Sequence, residues 1–291
     1  MFVPLACVLL CVSPAQAYPL RVTVVLSEEG GAYRAFNREL HSKLADGDFV
    51  LTTQTADETP NIPDLYIAVG MKAASKLASS AVPTLSVLVP KAGYDRLPRP
   101  DPQHASPHSV IYLDQPLERQ VALLLAALPD TTQVGVLHSV PPPELQHVRH
   151  LFAGRHVNLH DRAADDSHPL NDTLESLLNE SEVIFALADA DIYNASTIRN
   201  ILLATYRKKI PLVGISQAFV KAGALCAVFT TPEQFAEQTA MVTQKFAESG
   251  KLPPAQYPSD FEVLVNTQVA RSLELQIKDA GQLRAEIRRA Q

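Results

Sequence analysis

Residues 182–229 read EVIFALADADIYNASTIRNILLATYRKKIPLVGISQAFVKAGALCAVF. Glu182–Leu187 is an apolar, β-branched run of strand length that stops at the polar residues Asp189, Asp191 and Asn194. From Ala195 the period changes. Ile198, Ile201, Leu202 and Tyr206 form one stripe, which predicts an amphipathic helix over 195–208. Arg207, Lys208 and Lys209 sit where that helix ends, and positive charge there complements the helix dipole. Pro211–Ile215 and Leu225–Phe229 are strands again. Strands separated by helices imply parallel sheets with right-handed crossovers.

The same alternation extends in both directions. Upstream, strands are expected at 21–26, 49–53, 64–69, 84–89 and 109–113. Helices are expected at 32–44, with Phe36, Leu40 and Leu44 inward, and at 71–80. Residues 90–108, rich in Pro and His, read as a surface loop. After a helix at 115–128 the pattern starts anew: strand 133–137, helix 143–152, strand 156–159 and helix 170–178. Downstream, Thr231-Pro232-Glu233 opens a helix that runs to Ser249 and stops at Gly250. A last strand at 261–265 and a helix from Thr267 follow. Two such series predict an α/β protein of two doubly wound, Rossmann-like lobes joined by a hinge. Ligands of open α/β sheets bind beyond the carboxyl ends of the strands, so two facing lobes make a cleft that can close.

Composition narrows the function. The net charge of −6 lacks the basic footprint that nucleic acid selects, so no nucleic-acid partner is expected. Residues 2–12, FVPLACVLLCV, are apolar but too short to span a bilayer, and Ala15-Gln16-Ala17 follows as a cleavage site. The expectation is a signal peptide over 1–17, cleavage after Ala17, a chain starting at Tyr18, and a periplasmic location. Cys7 and Cys11 leave with that segment, and the remaining Cys226 in GALCAVF reads as a small buried hydrophobe. Six of nine His fall between His138 and His168, but no Cys or carboxylate completes a ligand set, so no metal is expected. With no G-x-S-x-G, H-E-x-x-H, P-loop or G-x-G-x-x-G, neither a catalytic residue nor a cofactor is assigned.

The run from Val183 to Leu225, the Gly250-Lys251-Leu252-Pro253 helix end and the segment FEVLVNTQVARSLEL at 261–275 carry a resemblance. Together with IAVGMKAASKL at 67–77 and the helix leading into QVGVL, they resemble the ABC-transporter substrate-binding family of the type I periplasmic binding fold. The better-known members bind aromatic amino acids. The resemblance implies lobe one from 18–115 and 228–258, and lobe two from 116–227 and 259–291. It also implies a non-enzymatic, monomeric protein that closes on a small ligand, such as an amino acid-like solute, and delivers it to an ABC permease. A ligand-sensing module for a membrane sensor kinase or receptor is the alternative, and an enzyme on the same scaffold is a third class.

Ligand contacts are expected at strand ends. Ser27 and Glu28 lie in the first loop, where a helix N-terminus favours an anion, although Ser27 can equally cap an ordinary turn. Gly70 and Met71 end the third strand, where glycine permits close approach or shapes a tight turn. Ser86 lies near the end of the fourth. Asp189, Asp191 and Asn194 can hold a ligand ammonium or cap the next helix. Ser216 and Gln217 follow the strand at 211–215 as polar contacts.

Overall fold

The structure, a computed structural model, describes residues 18–59, 61–98 and 107–290. The expected signal segment and its cleavage site lie outside them. Among the described residues no helix is long and apolar enough to cross a membrane.

Two sheets organise the chain. The first contains β1 (Leu20–Leu26), β2 (Phe49–Thr55), β3 (Leu65–Val69), β4 (Thr84–Val89) and β5 (His108–Tyr112), in the order β2-β1-β3-β4-β5. All its pairings are parallel. Helices α1 (Gly31–Leu44), α2 (Met71–Leu77) and α3 (Lys91–Asp95) connect the strands. Phe36, Leu40 and Leu44 of α1 are fully buried, as their spacing predicts, and each contributes roughly 1.5–3 kcal/mol by leaving water. The short α3 falls inside the stretch expected to be loop: Pro90 supplies a fixed φ at its start, and five residues are too few to show a period.

The second sheet contains β6 (Gln133–His138), β7 (Asn158–Ala163), β8 (Val183–Phe185), β9 (Leu212–Gly214), β10 (Cys226–Phe229) and β11 (Glu262–Val265), in the order β11-β10-β9-β8-β6-β7. Its intervening helices are α4 (Leu117–Ala127), α5 (Leu145–Ala153), α6 (Leu170–Leu178), α7 (Ile198–Arg207) and α8 (Gln217–Ala222). The chain then forms α9 (Pro232–Ser249), α10 (Thr267–Ser272) and α11 (Ala280–Ala290). Apolar clusters lie on both faces of each sheet, so both lobes are doubly wound. β11 departs from the all-parallel expectation and runs antiparallel to β10, because it arrives from an extended connection rather than a crossover helix. α7 begins three residues late, since the backbone before it is folded into a hydrogen-bonded turn.

The chain passes between the sheets three times: at 113–116, at 230–231 and along 250–261. Thr231 and Gln234 form a capping box, Pro232 opens α9, and Gly250 closes it in the left-handed region. α9 follows a strand of the second sheet but packs on α1 of the first lobe. The boundary expected at 228 falls inside β10, a strand of the second sheet. The crossing segments are tied side by side: Gln115 donates to the Thr230 hydroxyl at 2.8 Å, and Thr230 donates to the Asp260 carbonyl at 2.6 Å. The buried Arg119 donates to Gln115 and to the Pro258 carbonyl, with its guanidinium 4.4 Å from the centre of the Phe261 ring.

Candidate functional site

In the first sheet β1 is the strand from which the winding reverses, with β2 on one side and β3 on the other. The crevice at such a switch point is the standard ligand position in this topology. Here Ser27 and Gly70 face each other across it. The Ser27 N–H donates to the Val69 carbonyl, and the Ser27 hydroxyl accepts from the Ala73 N–H at 3.0 Å, so Ser27 caps α2 rather than α1. Gly70 has φ +86 and ψ 171, a conformation reserved for glycine. A β-carbon there would stand 2.6 Å from the Ser27 Oγ and 2.7 Å from the Tyr33 ring, so Tyr33 covers the bare α-carbon. Met71 lies beside the Gly93 α-carbon in the half-buried layer under α3. Ser86 is buried in the middle of β4, paired with Ala68 and Val110, three residues short of the strand end.

Above this crevice lies an open cavity of about 470 Å³, lined by Glu28–Tyr33, Leu88 and Leu113. Glu28 is exposed at its rim, and its charge adds to burial in raising the Tyr33 hydroxyl above the usual tyrosine range, with burial the larger cause. α1 starts at Gly30 with no side-chain cap, so its first N–H groups border the cavity without a protein side chain to accept from them. Leu88 reaches the cavity through a bulge in β4 between Val87 and Val89. Its φ of +57 turns the side chain to the face of Val87, among the residues packed by α1, while Val89 stays on the α2 face. Tyr33, Leu88 and Leu113 were not legible as site residues, because each reads as ordinary core or strand-end apolar sequence.

The second lobe repeats the arrangement. Its winding reverses at β6, between β7 and β8. Asp189, beyond the end of β8, accepts from the N–H and hydroxyl of Ser139, beyond the end of β6, at 2.7 and 2.8 Å. Its other oxygen accepts from the N–H groups of Asp191 and Ile192. Asn194 accepts from the N–H groups of Ser196 and Thr197 and donates to the carbonyls of Ala190 and Asp191. Asp189 and Asn194 are therefore engaged in shaping the 188–197 turn. Asp191, held between them, is exposed, and its carboxylate makes no hydrogen bond or ion pair among the described residues. Ser216 caps α8 through the Phe219 N–H, and Gln217 is exposed at the first position of that helix. Tyr193 is buried against Phe219, 6.0 Å between ring centres, and both its burial and the charge of Asp189 disfavour ionisation.

The carboxyl ends of the two sheets face one another. Lys91, just beyond β4, pairs with Glu144, in the loop beyond β6, at 3.1 Å. Among the described residues no group of three or more His, Cys, Asp or Glu is placed to hold a metal ion.

Two doubly wound lobes, bridged three times and facing each other with their strand ends, define a two-lobed binding protein of the type I periplasmic kind. Residues 112–286 match the family described as ABC transporter substrate binding protein, and the chain belongs to that family. Among curated proteins no match is found. Solved structures share the fold. A conserved domain protein of Vibrio cholerae O1 biovar El Tor is 21% identical over 91% of this chain and 98% of its own, with a TM-score of 0.62. An ABC domain from Streptococcus pneumoniae, solved in complex with L-Trp, is 16% identical over 91% and 98%, with a TM-score of 0.63. CD0873 of Clostridium difficile, a substrate binding protein with adhesive properties in its ligand-free, open form, is 15% identical over 89% and 96%, with a TM-score of 0.68.

Proposed function

We propose that this protein is exported, closes its lobes on a small amino acid-like solute, and presents that solute to an ABC permease. The observation that carries the ligand class is Asp191. Asp189, Asn194, Ser196 and Thr197 are engaged in folding the turn, whereas this carboxylate, exposed beyond the end of β8 in lobe two, makes no hydrogen bond or ion pair among the described residues. A ligand ammonium supplies a partner through a charge-assisted hydrogen bond. In lobe one, the uncapped start of α1 at Gly30–Ala32 offers backbone N–H groups for the ligand carboxylate, and Tyr33, Leu88 and Leu113 offer an apolar wall for its side chain. Glu28 and Glu29 at the rim oppose a bare anion, which favours a ligand that also carries positive charge. Neither lobe alone surrounds such a molecule, so binding and closure are one event.

The test is a thermal-shift screen of the mature chain with the common L-amino acids, with simple sugars and dicarboxylates as comparison. A ligand that binds only the folded state raises the melting temperature. Stabilisation by an amino acid supports the reading, and stabilisation by sugars or dicarboxylates alone refutes it. Export is checked separately by the intact mass of protein recovered from the periplasm, expected to begin at Tyr18.

A further inference from the structure

Apart from contacts made within the crossing segments themselves, the ion pair that joins the two lobes among the described residues is Lys91–Glu144, at 3.1 Å. Both side chains are about one-third exposed, so the pair is partly withdrawn from water. Lys91 also pairs with Asp95, one turn on in α3, at 2.8 Å. Its backbone N–H donates to the Asp114 carboxylate at 2.6 Å, which ties the start of α3 to the first crossing segment. Beside it Tyr94, Tyr112 and Tyr257 pack in sequence, the first pair edge to face and the second tilted, with ring centres 6.0 and 5.3 Å apart. Tyr257 belongs to the third crossing segment, where Gln256 pairs with the edge of β5. The ammonium thus pairs with two carboxylates, Asp95 on its own lobe and Glu144 on the opposite one, while Asp114 holds the backbone of the same lysine.

We propose that Lys91 is a latch that holds the two lobes together in the absence of ligand by pairing with Glu144 across the cleft. The anchoring of α3 by Asp114 and the tyrosine cluster keeps the ammonium aimed at the second lobe instead of letting it follow the solvent. The charge count makes Lys91 the dominant partner. Without it, Glu144 faces Asp95 and Asp114 with like charge and the lobes repel; without Glu144, only the attraction is lost. Ligand then enters through the fraction of molecules in which the pair is broken, so the latch sets how readily the cleft admits it.

The proposal assumes lobes that move, but its test uses no ligand and stands apart from the assignment of an amino acid. Spin labels are placed on the mature chain at Thr59→Cys and Ser167→Cys, exposed positions beyond the ends of β2 and β7, one on each lobe. Pulsed electron–electron resonance then reads the distance distribution. Lys91→Met is expected to raise the ratio of long to short distances about twofold to fivefold, the range set by a partly exposed ion pair. Glu144→Gln should act in the same direction but less, and the double variant should fall short of the two effects combined. Distributions unchanged by Lys91→Met, or single effects that simply add in the double variant, overturn the latch. Unaltered circular dichroism and melting of each variant establish that the fold is kept.

Discussion

Gly70→Ala joins backbone strain to the candidate site. At φ +86 and ψ 171 a residue with a β-carbon sits in a region that costs about 1–3 kcal/mol. The new carbon would also stand 2.6 Å from the Ser27 Oγ and 2.7 and 2.8 Å from Tyr33 Cε1 and its hydroxyl. Real β-carbon contacts do not fall that short, so Ser27, Tyr33 or the backbone must shift. Overpacking of this kind costs about 1–3 kcal/mol more. The expected destabilisation is therefore about 2–6 kcal/mol, measured as the loss of unfolding free energy in urea. Ser27 caps α2 and Tyr33 lines the cavity, so the same substitution should weaken ligand binding as well as the fold. The two contributions separate in a Tyr33→Ala background. With the ring gone, the cost of Gly70→Ala should fall by about 1 kcal/mol or more, leaving strain and the serine contact. A Gly70→Ala protein within about 0.5 kcal/mol of the parent, or a cost that Tyr33→Ala leaves unchanged, refutes the packing of the first switch point.

Three further outcomes follow from local geometry. Leu88 occupies the left-handed region, so Leu88→Gly should be about 1 kcal/mol more stable than Leu88→Ala by urea unfolding, the reverse of the usual order for a buried strand position. Asp114 has its carboxyl raised above the usual range, chiefly by burial and further by Glu144, against the lowering effect of the Lys91 N–H. A raised folded pKa means stability that is present below the unfolded value of about 3.9 and declines as the pH climbs through the folded value, so Asp114→Asn should gain on the parent across that window in pH-dependent unfolding. Burial pushes the Cys226 thiol up to about 12, so the folded protein should resist iodoacetamide at mildly alkaline pH and react fully once unfolded, as read by mass spectrometry.

The fold was legible because its strands and longer helices carry strong periodicity. The stripe Ile198, Ile201, Leu202 places α7, and the Thr231–Gln234 and Gly250 signals place both ends of α9. The direction of β11 was not legible, since a short apolar run has the same pattern either way along the sheet. The site was legible as a set of strand ends, but not in its detail. Asp189 and Asn194 have the chemistry of ligand contacts, and that same short-range hydrogen bonding is what folds the turn around Asp191. Ser86 has the chemistry of a strand-end contact, but it is the third of six residues in β4 and is paired on both sides, so the sheet buries it. Leu88 is hidden because the bulge reverses its facing, and nothing in the run TLSVLV marks where the alternation slips.

The proposal that the two lobes close on an amino acid-like solute rests on the Asp191 carboxylate, which has no partner among the described residues, and isothermal titration of the parent and the Asp191→Asn protein tests it most directly. With the common L-amino acids as titrants, the expected result is a saturable single-site isotherm for at least one of them. Asp191→Asn should lose roughly 2–5 kcal/mol of that binding by removing a desolvated charge partner, while its unfolding free energy stays close to that of the parent because the turn is held by Asp189 and Asn194. Absence of a binding isotherm with any of these amino acids, or unchanged affinity in Asp191→Asn, contradicts it.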